Sequence, residues 1–424
     1  MFVYFFCCIG VVSIFLSYFY KINLSNLFLP TEINQFFLEY NISTRSGGVV
    51  SDFKTHWDYI QALRNDIKNL FLYEMGKDTK LINFPLHNII FSQIYFLTDN
   101  LKNFLFFFLI VSLFLPYIFY KNLFLIFKKL DKKTLIIISS LILILPAYQY
   151  SAIWGSSHIT ALCFFLIGTF YHIKFEQNHQ KKRYIYFSII FFALSAYTKQ
   201  FYVFIFLFIF LKLFFDLKKK HFLYLSSFSI FLAIPGFIFL YFNPLLYYGI
   251  KQEITNLSGS ILISSSICFF YMIPFIVQYV INLKKFKKIF ETKNIILAFL
   301  ILLINIPTFV YNSNIGGGIF YKLSLFFFES KYFFYLFAYL GLYFLFFFTK
   351  KNISSYFLTI IFISTFSTGF FIFQKYFEPL FLIIFFLYFD KKKILVSINK
   401  NNYLTIFYYL FYYIVINYIY FFGL

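Results

Sequence analysis

Long, nearly uninterrupted apolar runs, cut at intervals by lysine-bearing segments, constrain this chain more than any other feature. Marked off by their charged ends, they fall near 2–19, 104–120, 134–150, 159–174, 185–198, 201–216, 222–242, 261–282, 294–311, 333–349, 353–373, 377–389 and 403–421. Most approach the ~20 residues that a helix needs to cross a ~30 Å hydrocarbon core. They are continuous rather than alternating, which separates them from the strands of an outer-membrane barrel. With 61% hydrophobic residues, 74 of them Phe and 38 Tyr, a water-soluble fold would leave large apolar patches exposed. The reading is an all-α polytopic membrane protein with about 13 transmembrane helices. Residues 1–424 form one integral domain, with a long first outer loop at 21–103. Segment 85–97 is too short to span and is expected to lie at the interface or re-enter. The first run lacks a basic start and a small-residue cleavage site, so it reads as an uncleaved span.

Charge then sets the orientation. With the N-terminus inside, the even connections hold 24 of the 37 Lys and Arg but five acids: Asp131, Glu176, Asp216, Glu291 and Asp390. The outer side holds 13 basic residues and 11 acids, eight of those acids in the first loop. The formal charge of +21 is therefore a positive-inside asymmetry, and it calls for no nucleic-acid partner. Inner loops are short and basic; outer loops are longer and mixed in charge, so chemistry is expected at the outer face. The four cysteines lie in apolar runs without CxxC spacing, which indicates neither a zinc site nor a disulfide framework.

Five outer stretches carry the residues of interest. Ser46 to Leu63, SGGVVSDFKTHWDYIQAL, places Asp52, His56, Trp57 and Asp58 within seven residues. A helix beginning near Ser51 puts Asp52 and His56 on one face, although acids at a helix start also serve simply as caps. The same loop returns to the membrane through Phe84-Pro85-Leu86-His87. Tyr148, Trp154, Gly155 and His158 follow in AYQYSAIWGSSHITAL, where an interfacial aromatic belt is the plainer reading. SAYTKQFY sets Lys199 and Gln200 between two apolar runs, where a lysine either meets a partner or snorkels. Gly316-Gly317-Gly318 in YNSNIGGGIFYKL allows close backbone approach or a flexible loop, with Lys322 nearby. FQKYFEPLF holds Lys375 and Glu378 three residues apart, a spacing at which they can simply pair.

An acidic residue in the first outer loop, followed by an aromatic-Pro-Leu segment, resembles the GT-C superfamily of multi-span glycosyltransferases. The likeness is greatest to the dolichyl-phosphate-glucose-dependent glucosyltransferases of N-glycan assembly. Asp52-Phe53 with His56-Trp57 matches the first element, except that Lys54 stands where the family has a second acid. Phe84-Pro85-Leu86 matches the later Pro-Pro-Leu turn with one Pro missing. Trp154-Gly155 is similar to the WGQ-D turn of bacterial members, with His158 in place of an Asp.

The resemblance implies transfer of a hexose from a polyprenyl-phosphate donor to a lipid-linked or cell-envelope glycan acceptor. It implies Asp52 as the base, with Asp58 or His56 orienting it, and Lys199, Lys375 and Lys322 on the donor phosphate. Trp57, His87, Trp154, His158, Gln200 and Glu378 would contact substrate. Family members differ in whether they need Mg or Mn; one clear acid argues against an obligatory divalent cation, and no other cofactor is implied. The expected setting is a bacterial inner membrane, or the endoplasmic reticulum of a eukaryote, with the site facing the periplasm or lumen. Two other classes compete. An O-antigen polymerase or ligase would place arginines in late outer loops, whereas this chain has three Arg, two of them in the first loop. A transporter or flippase would carry charged or broken helices at mid-bilayer and internal repeats.

Overall fold

The computed structural model describes residues 8, 10–16, 49–68, 84–94, 99–242, 257–282, 289–311, 316–365, 372–398 and 403–422. All regular structure among them is helical. The chain divides into two compact units, one of residues 1–202, 228–246 and 409–424, the other of residues 203–227 and 247–408. The helices are α1 (Val49–Asn65), α2 (Leu86–Ser92), α3 (Leu101–Ser112), α4 (Phe114–Ile126), α5 (Lys132–Ser140), α6 (Pro146–Ile153), α7 (Ser157–Gln177), α8 (Arg183–Ala196) and α9 (Val203–Asp216). They continue as α10 (Lys219–Phe242), α11 (Leu257–Asn282), α12 (Thr292–Asn305), α13 (Gly318–Phe328), α14 (Tyr332–Phe348), α15 (Ile353–Thr365), α16 (Leu380–Tyr388), α17 (Lys391–Ser397) and α18 (Tyr403–Phe422).

Among the described residues, four helical stretches are long and apolar enough to cross a membrane: Leu101–Ile126, which joins α3 and α4, then α7, α10 and α11. A fifth candidate is the pair Lys132–Ile144 and Pro146–Ile153, bent by 67° at Leu145. The expected segment near 85–97 is the seven-residue α2, which is indeed too short to span. Phe231, Phe237 and Tyr241 on α10 and Phe326 and Phe327 on α13 are exposed, as lipid-facing aromatics of a membrane protein are. Helix starts follow ordinary cap chemistry: Asn100, Asp131, Ser156 and Asp390 each accept a backbone N–H two or three residues on.

Apolar surroundings offer no water to a broken helix, so each interruption needs a protein partner. A proline lacks the N–H that would bond the carbonyl four residues back. Pro116 therefore frees the Ser112 carbonyl, and the buried Tyr148 hydroxyl donates to it. Pro274 within α11 frees the Phe270 carbonyl, and the Tyr408 hydroxyl donates to that at 2.9 Å. Beside Pro235 in α10, the Tyr197 hydroxyl donates to the Leu232 carbonyl and accepts the Gly236 N–H at 3.2 Å. At the α5–α6 bend, Gln149 donates to the Leu143 carbonyl at 2.7 Å. At Pro116, Pro274 and the α5–α6 bend a polar side chain pairs an interrupted carbonyl, and at Pro235 the Tyr197 hydroxyl bridges the Leu232 carbonyl and the Gly236 N–H.

Within the first unit α7 packs against α8 and α4, and α1 lies along α2. In the second, α11 is the central helix, contacted by α13, α14, α15 and α17. Gly341 lets α14 approach α11 closely: a Cβ there would stand 2.0 Å from the Ser265 carbonyl oxygen.

Segments that the lysine count assigns to one side are neighbours within each unit. Glu291 accepts from Lys393 at 2.8 Å and from Lys351 at 3.0 Å, tying together three connections that the lysine count assigns to the inner side. Partial burial works against its ionisation, but these two lysines outweigh that and hold the Glu291 carboxyl below its ordinary range. At the other end of the same unit, the Gly317 N–H donates to the Ile372 carbonyl at 2.8 Å and Lys331 reaches the Tyr311 carbonyl at 3.4 Å.

Replacing Tyr148 by Phe leaves the Ser112 carbonyl buried and unpaired. We expect a loss of about 1–2 kcal/mol, read as a lower unfolding midpoint in detergent. A Tyr148→Phe protein as stable as the parent would show that the proline-freed carbonyl needs no partner.

Candidate functional site

The described part of the first outer loop folds onto the ends of membrane helices in the first unit. Apolar residues of α1 recur at helical spacing, with Phe53, Tyr59, Ile60 and Leu63 buried, and His56 falls in that same stripe. Its burial follows from this spacing. Asp58 points to the exposed side. The helix begins at Val49, two residues before the expected start, so Asp52 lies in its first turn, one turn before His56. The side chains of Asp52 and Lys54 lie outside the described residues.

Aromatic rings wall the site. Phe53 stacks on Trp57 at 6.2 Å and on Phe104 at 6.4 Å, and meets Trp154 at 5.9 Å. Phe91 contacts Phe104 and Phe108, and His87 lies 4.8 Å from Phe91. Trp154 reaches this wall because Gly155, at φ +60°, turns the chain between α6 and α7; a side chain there would strike Phe104. The Trp-Gly element is thus packed against Phe53 and Phe104.

Polar groups fill the space between. The α2 entry is anchored by the Leu86 N–H, which donates to the Tyr197 carbonyl at 3.1 Å, while Phe84 packs on Tyr197 and Phe239. This docking brings Phe84-Pro85-Leu86-His87 against the turn that carries Lys199. His87 Nδ1 lies 2.9 Å from Thr160 Oγ1, and its ring meets that of His56 edge-on at 5.4 Å. His56 Nδ1 lies 3.0 Å from Asn88 Oδ1 and its Nε2 lies 3.1 Å from Ser157 Oγ. His87, Asn88 and Ser157 are fully buried and His56 nearly so. Burial pushes the His87 imidazole well below its ordinary pKa, and the charges of His56 and Lys199 push the same way. His87 is therefore neutral near pH 7, and Lys199 stands close enough for its charge to be felt there. Gln200, on the 3-10 turn Gln200–Tyr202, is also buried. His158 is half-buried one residue beyond Ser157, its N–H capped by Ser156 at 3.3 Å.

The late stretches around Gly316–Gly318 and Lys375 belong to the second unit. Gly316, Gly317 and Gly318 all carry positive φ, near +80°, which side chains rarely adopt. The run is thus a set turn, pinned by the Gly317–Ile372 hydrogen bond, in place of the flexible loop the sequence also allowed. Glu378 is buried and accepts from the Tyr271 hydroxyl. Lys375 lies over the rings of Phe373 and Tyr376 at 5.0 and 5.7 Å. Lys322 is exposed on α13.

Of the residues singled out in the sequence, the first unit brings together His56, Trp57, His87, Trp154 and Lys199. Sequence reasoning missed Asn88, Ser157 and Thr160, ordinary polar residues whose only signal is adjacency to His87 and His158. Among the described residues, no three His, Cys, Asp or Glu side chains gather closely enough to hold a metal ion.

A histidine buried neutral makes a signed prediction. The unfolded chain takes up a proton at His87 below about pH 6.5, whereas the folded chain does not. The stability is thus complete above that pH and is lost progressively as pH falls, by up to about 1.4 kcal/mol per unit. We expect His87→Phe to flatten the fall in unfolding midpoint between pH 7.5 and 5; an unchanged slope would remove His87 as its source.

No known family model, curated protein or solved structure matches this chain.

Proposed function

We propose that this chain is a membrane glycosyltransferase of the GT-C type. It moves a hexose from a polyprenyl-phosphate donor to a lipid-linked or cell-envelope glycan acceptor at the outer, periplasmic or lumenal face. The observation that supports this reading most is convergence. Helix α1, the Phe-Pro-Leu-His segment, the Trp-Gly turn and the Lys199 turn are far apart in sequence, yet they meet in one aromatic-walled, polar-lined site. Sugar transfer asks for that combination: aromatic faces to hold a ring, a base for the acceptor hydroxyl, and a cation for the departing phosphate.

In this scheme Asp52 takes the acceptor's proton, with His56 or Asp58 orienting the acceptor. Lys199 holds the donor phosphate as a point charge. Trp57 and Trp154 stack on the sugar, and His87, His158 and Gln200 hydrogen-bond substrate. Some thirteen spans, counting shorter apolar helices such as α8, α12, α14 and α15, carry the chain across a bacterial inner membrane or its eukaryotic equivalent. The bent α5–α6 pair does not favour a transporter, because residues 134–153 contain no Asp, Glu, Lys, Arg or His.

The test is transfer in proteoliposomes supplied with radiolabelled polyprenyl-phosphate hexoses. We expect Asp52→Asn to lower turnover by about 100-fold or more, and Lys199→Ala to raise the donor KM. Full transfer by Asp52→Asn would dismiss the assigned base, and inactivity of the parent toward every polyprenyl donor would dismiss the sugar reading itself.

A further inference from the structure

The contacts of His56 form a hydrogen-bonded chain that sugar transfer does not require. Asn88 presents its carbonyl oxygen, an acceptor only, to His56 Nδ1 at 3.0 Å. The Nδ1 proton is thereby fixed, and Nε2 is left with its lone pair facing the Ser157 hydroxyl at 3.1 Å. Three elements contribute, with His56 separated from Asn88 by 32 residues and from Ser157 by 101. The order is hydroxyl, imidazole, orienting carbonyl: a nucleophile, its base, and a third group holding the base in the right tautomer.

Two further observations distinguish this chain from a purely structural network. Asn88 Nδ2, on the orienting residue itself, and His87 Nε2, on the adjacent ring, are buried without a protein partner. Each such atom costs about 1–3 kcal/mol, which a polar group of a bound substrate would offset. Ser157 also opens the 21-residue helix α7, whose first N–H groups and dipole favour negative charge beside its hydroxyl.

We propose that Ser157, His56 and Asn88 form a nucleophilic triad that transfers an acyl group from a lipid ester to a hydroxyl acceptor. The surroundings suit such a donor: Phe53, Phe91, Phe104, Phe108 and Trp154 are apolar, and Ser157 is closed off from bulk water. Ser157 Oγ attacks the ester carbonyl carbon while its proton passes to His56 Nε2. The oxyanion that forms lies at the start of α7. It collapses, the bond from carbonyl carbon to alcohol oxygen breaks, and His56 returns the proton to the departing alkoxide. The acceptor hydroxyl then attacks acyl-Ser157, again losing its proton to His56, and Ser157 regains its own. Asn88 acts through His56 as a positioning residue. This inference does not rest on the glycosyltransferase reading.

The test is labelling of the purified full-length protein in detergent with diisopropyl fluorophosphate, a small apolar reagent that reacts with activated serines. We expect one adduct per chain, mapped by mass spectrometry to Ser157 and absent from Ser157→Ala. His56→Gln should slow labelling at least 100-fold, and Asn88→Ala about 10-fold, with Asn88→Asp restoring the rate because it keeps an acceptor at the same place. The rate should rise with pH as one imidazole deprotonates, a dependence lost in His56→Gln. Should His56→Gln fail to fold, Ser157→Cys supplies the second measurement: iodoacetamide alkylation faster than an ordinary thiol at pH 7 supports the triad, and an ordinary rate overturns it. An unmodified Ser157 in the parent, or labelling at full rate in folded His56→Gln, also overturns it.

Discussion

Backbone hydrogen bonding in surroundings without water is the constraint on which the rest of this structure depends. A helix meets it everywhere except at a break, and this chain breaks its long helices with Pro116, Pro235 and Pro274. At each, a tyrosine hydroxyl from elsewhere in the chain supplies the hydrogen bonding that the helix lacks: Tyr148, Tyr197 and Tyr408. Tyrosine is suited to this because its ring dissolves in an apolar core while its hydroxyl both donates and accepts. The abundance of tyrosine in an apolar sequence thus has a structural use beyond anchoring at the headgroups.

One of these repairs also positions the site. Tyr197 inserts its hydroxyl beside Pro235, and its carbonyl receives the Leu86 N–H that starts α2. A single residue therefore links the break in α10, the turn bearing Lys199 and the helix bearing His87 and Asn88. Held in this way, the polar groups are buried and hydrogen-bonded to one another, which gives them the fixed geometry that acid–base chemistry needs. The same burial keeps His87 neutral and makes its unpartnered Nε2 costly unless an occupant meets it.

How far the site was legible in the sequence differs by residue. His56 stood out because it follows Asp52 by one helical turn, while its place in the buried stripe of Phe53, Ile60 and Leu63 came from the fold. Trp154-Gly155 stood out for its similarity to the WGQ-D turn of bacterial GT-C members, with an interfacial aromatic belt as the other reading. Ser157 and Asn88 offered nothing comparable, being common polar residues next to more conspicuous histidines. Their importance comes from partners 101 and 32 residues away, and such contacts leave no local pattern. The glycine run at 316–318 was open between a flexible loop and a tight turn, and a hydrogen bond from 55 residues downstream decided it for the turn.

By itself the sequence determined that the chain is helical and membrane-embedded, because apolar runs of spanning length have no other way to satisfy their backbone. Lysine placement also assigns segments to sides, since it is a local property of each loop. Only the tertiary structure decided which polar residues meet. Whether a buried histidine finds Asn88 and Ser157, or a proline-freed carbonyl finds a tyrosine, depends on how helices distant in sequence pack, and helical periodicity carries no record of the partner.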